Sequence, residues 1–284
     1  MTFYVDNIED FENKPNLNVL SKVIRFAEYL LEEMIKDRTF IQQDKAILGL
    51  FRQLVEQVDG VYLAMDQDSI SLARTSIRNA FESSLALIYI LEEPQYIERR
   101  ALSYIVHDLH EEIQWIEHAI ETNVLAEHIS TEELETAKQT KLNKLSTRQL
   151  QPIEDEWIRT DAALPQSYRP KWYSLFNGPR SIKQLARHLN QESTYTTFYS
   201  HLSSETHGNK ALSKVALQDN GEFLVWPFRD DYKDDETSLI TSRALLLESI
   251  TKILSHYQLN ELTIEFTTFY QEHIEPIYEE GYFE

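Results

Sequence analysis

The sequence predicts an all-α, multi-helix bundle with a charged helical insertion and one short strand-like segment. Apolar residues recur every three to four positions over long stretches, as they do on the buried face of a helix. Only 6 Gly and 8 Pro punctuate 284 residues, so the elements are few and long and their connections short. A single run, Glu222 to Phe228, reads as a strand, and Pro227 confines it to an edge or one extended piece.

Residues 1–16 have no periodicity and read as an extended arm. Leu20, Ile24, Ala27, Leu30, Leu31 and Met34 then mark a first helix, ending near Ile35. A second is expected from about Asp44 to Ala64 and a third from about Ser69 to Leu91, where Glu92-Glu93-Pro94 stops it. A fourth, from about Gln95 to Glu121, carries Ile97, Leu102, Val106, Leu109, Ile113 and Ile120 on one stripe. Ser130 with Glu133 three residues on forms a capping box for a charged helix reaching about Leu145. Residues 122–160 are therefore expected to form a polar, solvated insertion. Pro165, Pro170 and Gly178-Pro179 mark a loop-rich middle segment that carries Trp172, Tyr173 and Phe176. Two shorter helices are expected near Ser181–Asn190 and Tyr195–His207, and a long one over Asp235–Tyr257. The bundle domain thus spans 17–258, and 259–284 form an acidic C-terminal helix and tail with a helix over Glu261–Ile277.

Composition narrows the function classes. With no cysteine there is no disulfide, thiol nucleophile or cysteine-ligated metal. The acidic start lacks the basic and apolar regions of a signal peptide, and the longest apolar run, Leu85–Leu91, is too short for a bilayer, so a cytoplasmic location is expected. A formal net charge of −20 opposes nucleic-acid and anionic-membrane binding unless a local basic cleft supplies a positive field.

The third helix carries the first polar constellation. Its second half, Leu85–Leu91, is apolar all round, as in a buried helix, yet Arg74, Arg78 and Glu82 fall at i, i+4 and i+8 on one face. A charge pair on an interior helix is costly unless hydrogen-bonded, so it either fixes helix packing or lines a cleft. The fourth helix carries Arg100, Tyr104, His107 and Glu111 along one face, with His110 beside it. Arg100-x6-His107 fits the loose Arg-x4–6-His pattern of HEPN-type ribonucleases, in which Arg stabilises a phosphate and His is the acid–base; the polar residue usual after that Arg is replaced by Ala101. His107, His110 and Glu111 could also ligate a metal with Glu82 or His207, but the paired Glu-x-x-His signature of di-iron bundles is missing, and no metal or cofactor is expected. Ser203 and His207, four apart, suit an ordinary helical hydrogen bond more than a hydrolase pair, since no oxyanion turn accompanies them.

Taken together, Arg78-x-x-Phe81-Glu82, Tyr89-Ile90, Arg99-Arg100, Trp172-Tyr173, the run Ser181–Arg187, Tyr195-x3-Tyr199 and Leu202-Ser203-x3-His207-Gly208 resemble a prokaryotic and phage family, domain of unknown function 5677. The resemblance covers roughly 45–258. It implies an all-α bundle related to the HEPN group and supplies no reaction. It also implies that the Arg78 and His207 helices meet, gathering Arg78, Glu82, Tyr199, Ser203 and His207 into one ligand-binding cluster. Three functions follow as expectations. The first is a binding or regulatory protein, linked to host–phage conflict, with a cleft for a small anionic ligand or a protein partner. The second is a metal-independent HEPN-like ribonuclease using Arg100 and His107 in a homodimer. The third is an acidic protein mimicking nucleic acid.

Overall fold

Helix α1 (Pro15–Ile35) begins with proline at its first turn, where the missing N–H is no loss. In this computed structural model, which describes residues 14–36, 38–124, 127–165, 168–200, 211–227, 229 and 236–276, it is followed by α2 (Gln42–Asp66) and α3 (Ile70–Leu91). A 3₁₀ turn over Pro94–Tyr96 leads into α4 (Ile97–Thr122), α5 (Thr131–Leu145) and α6 (Gln151–Ala162). The 3₁₀ segment Trp172–Asn177 precedes α7 (Ile182–His188) and the single-turn α8 (Glu192–Thr194). After strands β1 (Val215–Leu217) and β2 (Phe223–Val225) come α9 (Glu236–His256) and α10 (Asn260–His273). The all-α bundle expected from periodicity is thus the fold. No helix among the described residues is long and apolar enough to cross a membrane.

Local chemistry explains the boundaries. The Asp44 carboxylate reaches back 2.8 Å to the Ile41 N–H and closes the start of α2. Ser130 and Glu133 form the expected reciprocal box at α5. Asn123 stops α4 in the left-handed conformation (φ 54°), its N–H on the Ile120 carbonyl. The strand-like run pairs with a partner that the sequence did not announce: Val215, Ala216 and Leu217 lie antiparallel to Val225, Leu224 and Phe223. Gly221, at φ 84°, supplies the positive dihedral that the connecting turn requires.

Two compact units make up the chain, one of residues 1–39, 48–91 and 189–284 and the other of 40–47 and 92–188. The first buries the apolar half of α3, which packs on α9, and Leu239, Leu246, Ile250 and Ile253 of α9 are buried in the same unit. Ser84 and Ser249, both without exposed surface, lie 3.3 Å apart across this pair, small residues that let the two helices close. α1 packs on α9 and carries Phe26, whose ring stacks 4.8 Å from Phe269 of α10. The C-terminal helix is therefore part of this core.

The second unit is organised on α4. α5 lays Leu134 against Ile116 and Ala119, and Lys138–Glu117 (3.0 Å) and Lys141–Glu112 (2.6 Å) flank the seam. α6, which polarity alone concealed, inserts Ile153 and Trp157. Trp172 meets Tyr104 edge-on at 5.3 Å. The segment 122–160 is charged on its outer faces, yet it contributes these apolar anchors to the second unit.

Candidate functional site

In the first unit, three of the residues expected to share a cluster do so. α8 runs into a π turn over Tyr195–Tyr199, closed by the Ser200 N–H on the Tyr195 carbonyl. Such turns re-aim a side chain relative to the regular helix and recur at functional sites. Here Tyr199 lies against α3, buried, with its ring 5.8 Å from Phe81 and stacked 5.1 Å from Tyr195. Its hydroxyl donates to Glu82 Oε1 at 2.7 Å and accepts from Arg78 Nη2 at 3.1 Å. The Arg78 guanidinium carbon sits 4.9 Å from the centre of the same ring.

Glu82 is a looser partner of Arg78, at 3.7 Å, and its side chain is 40% exposed against 16% for Arg78. An ion pair so open to water is worth at most about 1 kcal/mol. The shorter bond of Arg78 therefore goes to a neutral phenol, and its buried Nε–H has no hydrogen-bond partner. A guanidinium carries five N–H donors in a rigid fork, so most of this one's capacity for an anion is unused. Burial, aided by the bond to Glu82 and opposed by Arg78, pushes the Tyr199 hydroxyl up to about 12. At neutral pH it is a fixed donor and not a base. Ser203 and His207 lie outside the described residues.

The second unit holds the other candidate pair, and here the charges are engaged. Arg100 is 9% exposed and donates through Nη1 to Glu92 and through Nη2 to Glu93, both at 3.1 Å. His188 Nε2 also approaches Glu92, at 2.8 Å. Two carboxylates leave Arg100 little net field with which to receive a phosphate. His107, two turns further along and so about 10 Å away along the axis, faces Trp157 with ring centres 5.6 Å apart. Burial lowers its pKa, the charge of Lys171 works in the same direction, and Glu111 opposes both. His110 stacks on the same indole at 4.5 Å and holds Glu154 at 2.8 Å. The structure thus brings His107 and His110 to one tryptophan, and binds Arg100 elsewhere. Among the described residues no group of three His, Asp or Glu is placed to hold a metal ion.

Sequence reasoning missed Glu92 and Glu93 as partners of Arg100, having taken them only as a helix stop, and it missed Trp157 altogether. An acidic pair seven and eight residues before a helical arginine was the available signal for the first; nothing local announced the second.

The chain belongs to the family of unknown function DUF5677, whose model matches residues 44–223. That span holds α3, the π turn and all of α4 to α7, but neither α1, α9 nor α10. It ends earlier than the motif resemblance suggested, at 223 and not 258. No curated protein and no solved structure is significantly similar to the chain.

Proposed function

We propose that this is a binding protein whose ligand presents an anionic group to Arg78, with Glu82 and Tyr199 completing the site. Tyr199 and His207 belong to the proposal as residues that orient the ligand, and Ser203 as a further ligand-binding residue. The observation that carries it is the state of Arg78: a guanidinium largely withdrawn from water, its Nε–H unpaired, its one short bond made to a phenol. An unsatisfied buried donor costs about 1–3 kcal/mol, and a carboxylate or phosphate would recover that cost. A regulatory role in host–phage conflict is the setting that the family resemblance implies.

The cluster favours recognition over catalysis. Tyr199 is held protonated, and its hydrogen bond to Glu82 restrains that carboxylate. The ribonuclease alternative asks Arg100 to stabilise a phosphate, whereas Arg100 is bonded to Glu92 and Glu93. The test is a thermal-shift and calorimetry screen of nucleotides and small carboxylates against the wild type and Arg78→Ala. At least one ligand should stabilise the wild type and lose that effect in Arg78→Ala. A panel in which every stabilising ligand acts equally on both proteins would remove Arg78 from the binding site.

A further inference from the structure

The stretch from Arg159 to Arg187 carries six Arg or Lys and one Asp, in a chain where acidic residues outnumber basic ones by 47 to 27. Within the second unit it walls a cavity of about 500 Å³, lined by Arg159, Arg169, Lys171 and Arg180 and by no Asp or Glu. A volume of this size suits a small-molecule ligand.

The four cations are not equivalent. Arg159 forks onto Glu156 through Nε (2.7 Å) and Nη2 (2.6 Å), and Arg169 stands 3.6 Å from Asp161. Among the described residues no carboxylate lies within ion-pair distance of Lys171 or Arg180. The wall therefore keeps about two uncompensated positive charges.

The loop is held in place at some conformational cost. Phe176 and Asn177 both adopt positive φ, 56° and 63°, in a region unfavourable for side chains other than glycine. The Phe176 N–H is anchored on Glu156 at 2.8 Å, and its ring lies 4.7 Å from the Arg99 guanidinium. The same Glu156 thus fixes both Arg159 and the turn that leads to Arg180. The larger cavity of the first unit, about 740 Å³, is a useful contrast. Its Arg25 and Arg52 pair with Glu28 (2.9 Å) and Glu56 (2.6 Å), and Glu32 and Asp59 add further negative charge.

We propose that the basic cavity binds a small phosphorylated molecule, with its phosphates on Lys171 and Arg180 and a ring of the ligand against Tyr168. Guanidinium and ammonium groups together fit phosphate oxygens, the one as a planar fork and the other as a point charge. Two uncompensated charges match a phosphate dianion. Tyr168 lines the same cavity and is 66% exposed, which leaves its face open to stacking. Leu164 and Pro165 supply an apolar surface beside it. This site lies in a different unit from Arg78 and does not rest on the reading given above.

Calorimetry with inorganic pyrophosphate and with a nucleoside diphosphate, at moderate salt, tests the assignment on the full chain. Both probes should bind saturably at one site, the nucleoside diphosphate more tightly. The double variant Lys171→Ala/Arg180→Ala, whose side chains are exposed, should weaken both at least tenfold; Arg180→Glu alone provides a second variant with the same expectation. Tyr168→Ala should erase the advantage of the nucleoside diphosphate over pyrophosphate, and Arg78→Ala should change nothing. No saturable binding of either probe, or full affinity in the folded double variant, overturns the proposal. So does loss of binding in Arg78→Ala, or an RNA oligonucleotide that binds more tightly than the nucleoside diphosphate.

Discussion

Arg78 on α3 and Arg100 on α4 are both withdrawn from solvent, yet their guanidinium groups meet different partners. Arg100 bonds two carboxylates at 3.1 Å, and one of them is shared with His188. Arg78 meets a tyrosine hydroxyl at 3.1 Å and a half-exposed carboxylate only at 3.7 Å. Charge balance makes the first a structural tie, while the second has no carboxylate at hydrogen-bond distance among the described residues. Burial alone therefore does not distinguish the two arginines; the identity of the partner does.

Replacing Arg100 gives the largest expected effect. Arg100→Ala removes the cation shared by Glu92 and Glu93, and unfolding in urea should show a loss of about 3 kcal/mol. Arg100→Lys should recover only part of it, because one ammonium cannot reproduce the fork. The same truncation at Arg78 removes one hydrogen bond and a cation–π contact, so Arg78→Ala should cost only about 1 kcal/mol while abolishing ligand-induced stabilisation. Equal losses at the two positions would erase the distinction between them.

Tyr199 sharpens the comparison through pH. Its folded pKa of about 12 lies above the ordinary value of 10, so its contribution is complete below pH 10 and is lost as pH rises towards 12. Wild-type stability should therefore fall more steeply across pH 10–12 than that of Tyr199→Phe. Parallel profiles would mean that Tyr199 is not buried against α3 and bonded to Glu82 in solution. The smallest effect is expected at His107. Its pKa is lowered, so its contribution is complete above about 6.5, the ordinary value, and is lost as pH falls through the folded value. His107→Asn should flatten that acid limb, with the His107 proton resonances titrating below those of a free imidazole.

The helices were legible because period and capping are local. Leu20 to Met34 and the Ser130–Glu133 box specify their own structure, as do the all-apolar residues 85–91. Half of the candidate site was legible too, since Arg78 and Glu82 are one helical turn apart. Tyr199, more than a hundred residues away, joined them in the sequence only through the family resemblance; the π turn that delivers it leaves no mark in residue pattern. α6 was hidden by its charge: only Ile153 and Trp157 are buried on it, too few to set a period. The pairing of Val215–Leu217 with β2 is a short hairpin between largely exposed segments, which amphipathicity does not report.

The most direct measurement is a ¹H–¹⁵N spectrum of the arginine Nε–H groups, assigned by single substitutions and recorded during titration with phosphate, nucleotides and dicarboxylates. The Arg78 Nε–H should be visible without ligand and should shift saturably with at least one anion, while the Nε–H of Arg100, whose guanidinium is tied to Glu92 and Glu93 through Nη1 and Nη2, does not move. An Arg78 signal indifferent to every anion, or an Arg100 signal that moves in its place, would contradict the assignment of Arg78 as the receiving group.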